Sequence, residues 1–189
     1  MNGSTMSHSS LYDMSVPALF GGLRTLDGLL DKAEGMIVRG KGDEADLLES
    51  RLAPDMDSFR RQIQHASDTA KACVSRLAGQ PVPKLEDYET TIAELRQRIE
   101  KTRDILRSVA PEAFADAADR VIKVNFRRRW VTFDGRSYLT EYALPNFFFH
   151  VTTAYAILRY QGFEIGKLDY LVDVARRRQA GKTHAEPAD

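Results

Sequence analysis

The sequence is nearly without cysteine. Cys73 stands alone among 189 residues, so no disulfide can close within the chain, and a reducing, cytoplasmic setting is expected. An excess of charge is missing too: Lys and Arg total 27, as do Asp and Glu, so no global field draws the chain to nucleic acid or to an anionic membrane, and neither is expected as a partner. No long apolar run is present. The most apolar stretch, residues 142–158, is broken by Pro145, Asn146 and His150, all unfavourable in lipid, so no membrane span is expected. Residues 1–10 (MNGSTMSHSS) lack the apolar centre of a secretory signal and read as a flexible polar tail. The chain also lacks a P-loop, a dinucleotide fingerprint, a nucleophile elbow and paired zinc cysteines.

What remains is ordinary globular material, 43% hydrophobic and 29% charged, arranged mostly at helical spacing. Val16, Leu19, Leu23, Leu26 and Leu30 make one stripe over about 15–38, with Ser15 the expected N-cap and Pro17 in the first turn. A short helical piece is expected around 44–52, stopping at Pro54. A second long helix is expected over about 55–77, carrying Phe59, Ile63, Ala66, Ala70, Cys73 and Leu77. Tyr88, Ile92, Leu95, Ile99, Thr102, Leu106 and Val109 predict a third over about 85–109. The period then changes to alternation, which predicts a β-hairpin within 121–133 around Arg127, Arg128 and Arg129. A fourth helix follows over about 136–161, kinked at Pro145. The fold class is therefore all-α: an antiparallel four-helix bundle over residues 11–175 with a small β-hairpin before its last long helix, and polar tails at 1–10 and 176–189.

Bundles hold ligands on inward-facing polar side chains, so the candidates are polar residues on apolar stripes. At about 100° per residue, His150 projects near the middle of the last helix's apolar face, with Asn146 one turn earlier at its edge. Asn-x-x-x-His on one face suits gripping one ligand or ion, although a satisfied core pair is the commoner use of such residues. His65 projects to the flank of the second helix, as an exposed helix histidine does. Cys73 falls on the core stripe and reads as packing, and the arginine run reads as a solvated turn able to hold a phosphate. His8 and His184 lie in the tails. Phe147, Phe148 and Phe149 cover about 200° of arc, so Phe148 needs cover from elsewhere. With Gly21, Gly22 and Gly28 on the first helix permitting close approach, this predicts a homodimer.

Asn146-Phe-Phe-Phe-His150, followed by Leu158-Arg159 and Gly162, resembles the last-helix signature of the DinB/YfiT-like superfamily of metalloenzymes, in which a His-x-x-x-His pair precedes a Leu-Arg and a Gly at these offsets. The run from Ala143 to Arg159 looks closer still to an uncharacterised domain-of-unknown-function branch of it. The likeness extends over about 11–172. It implies a divalent metal, often nickel or zinc, held by one histidine on helix 2 and two on helix 4, and in some members a thiol cofactor in transferase or isomerase reactions. Carried over, His150 matches the second helix-4 ligand, Asn146 stands in the slot of the first, and His65 is the candidate from helix 2. The expectation is a degenerate metal site in a small-molecule-binding or interaction protein. The alternative is a metal-dependent enzyme of the thiol-transferase type.

Overall fold

The computed structural model describes residues 11–126 and 128–181; the expected 1–10 tail, Arg127, His8 and His184 lie outside them. Helix α1 (Leu11–Val38) is followed by short α2 (Glu44–Glu49), then by the long helices α3 (Phe59–Leu77) and α4 (Ile92–Ser108). After a 3-10 turn (Pro111–Phe114), β1 (Ile122–Phe126) and β2 (Arg129–Phe133) form one antiparallel pair in the register Ile122↔Phe133 to Phe126↔Arg129. The chain continues as one helical arm: α5 (Gly135–Ser137), a π-helical segment (Tyr138–Ala143) and α6 (Leu144–Tyr160). Short α7 (Lys167–Tyr170) and α8 (Val172–Gly181) close the described chain, so helix reaches six residues into the expected tail at 176–189. The fold is the four-helix bundle of the sequence reading: α1, α3, α4 and α6 pack together, with α3 against all three others.

Each long helix begins and ends for a local reason, and these reasons move some boundaries. Ser15 is not the first cap. Helix α1 starts four residues earlier, and the Ser15 hydroxyl donates back to the Leu11 carbonyl at 2.6 Å from within the helix. Helix α4 starts at Ile92 rather than near 85, because Thr91 and Glu94 form a capping box that closes the N-terminus there. Tyr88 therefore lies outside the helix and is exposed, not part of its seam. Residues 80–90 instead run extended beside α3 and α4, and their Asp87 and Glu89 pair with Arg98, which is 2% exposed.

Two glycines mark close approaches. A methyl group on Gly22 would sit 2.3 Å from the Phe147 ring, so α6 lies against α1 only because that side chain is missing. At Gly135 it would meet the Ala117 carbonyl at 1.7 Å, which fixes how the arm leaves the hairpin. Phe147 is wholly buried, Phe148 packs half-buried against the same core, and Phe149 is 56% exposed. Phe148 lines an open groove with α1 and the α7–α8 turn of its own chain and packs edge-on against Phe147, which fills the space beside Gly22. Of Gly21, Gly22 and Gly28, Gly22 alone is closely filled from within the chain; a methyl group on Gly28 would meet nothing within 4 Å. No helix among the described residues is long and apolar enough to cross a membrane.

Candidate functional site

The candidate residues meet in a cleft of ≈ 350 Å³ between α3 and the α5–α6 arm. From the arm come Tyr138, Tyr142, Asn146 and His150, spaced four apart. On a regular α-helix such a row drifts by about 40° per step. The wider π-helical turn at Tyr138–Ala143 counters that drift, so all four line one cleft. Pro145 lies in the first turn of α6, where its missing N–H fits directly after the π segment. From α3 come His65, Asp68, Thr69, Lys71 and Arg76, and from the extended segment Val82.

His150 and His65 face each other, their ring centroids 4.9 Å apart. Their hydrogen bonds decide which nitrogens are bare. The Gln62 side-chain amide donates to the Asp57 carbonyl at 2.9 Å, so its oxygen is the atom 2.8 Å from His150 Nδ1. Nδ1 must then carry the proton, and Nε2 keeps its lone pair. Burial first, and the neighbouring His65 second, push the His150 pKa down to about 4 against the pull of Asp57, so the ring is neutral at pH 7. His65 Nε2 lies 3.1 Å from Asp57 Oδ2; a carboxylate oxygen accepts, so Nε2 donates and Nδ1 is left free. Asn146 donates its amide N–H to Thr69 Oγ1 at 2.8 Å.

Two sequence expectations change here and one holds. His150 is half-buried at the rim of its face rather than at its centre. His65 is not an isolated surface histidine: α3 is buried on nearly all sides, so its flank meets α6 and carries the ring to His150. Cys73 is packing, as read, with burial pushing its thiol up to about 12 despite the charge of Arg76. Sequence reasoning missed Tyr138, Tyr142, Gln62, Thr69 and Arg76. The two tyrosines were findable, since the four-residue row through Asn146 and His150 continues back to them. Nothing in the sequence marks the other three.

A tight nickel or zinc centre needs three or four strong donors. The cleft offers two imidazole nitrogens and an amide oxygen, and among the described residues no group of three or more His, Cys, Asp or Glu converges to hold an ion. These residues do not fit such a centre.

The family described as a domain of unknown function (DUF1993) matches residues 11–171. A solved structure of a DinB family member protein from Shewanella denitrificans is similar, with 41% identity over 95% of this chain and 94% of that one, and a TM-score of 0.77. No curated protein matches the chain. With the family match spanning the whole bundle and a DinB relative of nearly equal length, the chain belongs to the DUF1993 family and is a DinB-like four-helix bundle.

Proposed function

We propose that this chain is a small-molecule-binding bundle with a degenerate metal site whose residues line a ligand cleft. The observation that carries the reading is His150: the fold holds its Nε2 bare and neutral, beside His65 and Asn146, in an open cleft large enough for a small molecule. His150 is half-buried, so Nε2 is open to water in the cleft, and a ligand's donor can take that water's place. The lone buried cysteine supports a reducing, cytoplasmic setting for this activity.

A second reading is a divalent-metal enzyme of the thiol-transferase type, and one observation favours it. His65 and His150 each give their other N–H to an outer acceptor, Asp57 and Gln62, the arrangement that orients histidine ligands around metals. The third donor is the part that is lacking. Metal content of protein purified without a His-tag separates the two readings. Nickel and zinc are expected well below one ion per chain in the natural protein. Asn146→His is expected to raise the content toward one, because His65 already stands beside His150. Stoichiometric metal in the natural protein, lost in His150→Ala, would replace the first reading with the second.

A further inference from the structure

We infer that the ligand of this cleft is a small organic anion, its negative group held by Arg76 at the end of the cleft away from the two histidines. The inference rests on the reading of the cleft as a ligand site and adds the chemical class of its occupant.

Helices α1, α3 and α4 carry eight arginines. Seven of them, Arg24, Arg60, Arg61, Arg96, Arg98, Arg103 and Arg107, lie within ion-pair distance of a carboxylate. Arg76 has no such partner among the described residues. It is half-buried on the cleft wall, where a cation without a counter-charge is costly. Its neighbours hold it in place without neutralising it. One N–H donates to the Tyr138 hydroxyl at 3.2 Å, and the guanidinium lies 5.8 Å from that ring's centroid. Most of its five N–H donors are left over, in the planar fork that matches a carboxylate.

The rest of the lining sharpens the imbalance. Lys71, 6% exposed, faces the same cleft and is paired with Asp68 at 2.8 Å. Asp68 is shared with the fully buried Arg98 at 2.9 Å, so it has no capacity to spare for Arg76. The cleft wall therefore carries two cations against one committed carboxylate, while His150 is neutral and adds an acceptor. Along α3, eleven residues from His65 to Arg76 span roughly 16 Å. Tyr142 and the Asn146–Thr69 pair lie between. An elongated molecule with an anionic head, a flat body and a hydrogen-bond donor at its far end satisfies each group in turn.

The test uses the full chain labelled with nitrogen-15 and two probes of equal shape, each with a phenol donor at its far end, 3-(4-hydroxyphenyl)propanoate and 3-(4-hydroxyphenyl)propanamide, at matched ionic strength. The carboxylate is expected to shift the Arg76 Nε–H and Asn146 side-chain resonances saturably in the millimolar range, at least tenfold more tightly than the amide. Arg76→Gln should abolish that tenfold preference while leaving the amide's weaker effect at His150 unchanged. Arg76→Lys, which keeps the charge but not the fork, should retain part of it, and it serves if the glutamine variant unfolds. Equal binding of acid and amide would overturn the anion assignment and leave the cleft as a ligand site. Failure of both probes to perturb His65, Asn146 or His150 would overturn the ligand-site reading as well.

Discussion

At the scale of single residues, protonation of His150 links the cleft to stability. Its pKa in the folded chain is about 4, against 6.5 for an ordinary histidine. Between those values the unfolded chain binds more protons than the folded one, so stability rises with pH across that window. The contribution is complete above about pH 6.5 and is lost as pH falls toward 4. Because the ring is partly solvated, about 1–2 kcal/mol is expected rather than the value for full burial. Urea denaturation of the natural protein and of His150→Asn between pH 4 and 7 checks this. The difference between their pH slopes should fall mainly below pH 6.5, and parallel slopes would show that the ring titrates normally in the fold. His150 and Asn146 were legible because their spacing on one helix face is a local property. His65 was misread because a projection of α3 alone cannot show that a second helix covers its flank. Arg76 was invisible for a related reason: whether an arginine has a counter-charge is decided by packing, not by its neighbours in sequence.

At the scale of elements, the periodic interiors of α1, α3, α4 and α6 were legible, and so was the alternating hairpin, since burial of one face imposes period on sequence. Boundaries were less so. Tyr88, four residues before Ile92, extends the α4 pattern backwards, yet the Thr91–Glu94 capping box overrides it and frees residues 80–90 to serve Arg98. That use of the segment leads to a prediction. Arg98→Met removes a guanidinium bonded to Asp68, Asp87 and Glu89, leaving Glu89, 3% exposed, with Gln64 as its remaining side-chain partner. A loss of about 3–5 kcal/mol is expected by chemical denaturation. A loss below about 1 kcal/mol would mean that the segment lifts away and its carboxylates rehydrate at little cost. Contact between α1 and α6 gives a second test. Alanine is the better helix former, so Gly22→Ala should stabilise an isolated helix. Against Phe147 it should instead destabilise the protein by about 1–3 kcal/mol. Adding Phe147→Leu should recover part of the loss, and full additivity of the two changes would deny the contact.

For the whole molecule, the expectation of a homodimer rested on Phe148 and on the glycines of α1. Three phenylalanines in a row cannot share one face, and that geometry holds: Phe147 is buried, Phe148 half-buried and Phe149 exposed. What the sequence could not reveal is that the chain returns through α7 and α8 to lie over α1 beside Phe148, tied there by Arg24 to Asp173 and by the Thr25 hydroxyl to the Tyr170 carbonyl at 2.7 Å. The polar composition from Arg176 onward reads as a tail, yet α8 runs on to Gly181, because its first turn is anchored through Asp173 to Arg24, 149 positions earlier. With Phe148 packed half-buried against the core of its own chain, Phe148→Ala should act on stability and not on association. A loss of about 1–3 kcal/mol is expected, below that of a fully buried phenylalanine because the ring keeps some exposure. The sedimentation coefficient at micromolar concentration should be unchanged, whatever state the natural protein adopts. The dissociating result, a natural dimer that becomes a monomer in Phe148→Ala with little change in thermal midpoint, would return that ring to a subunit interface and require the α7–α8 turn to leave α1 in solution.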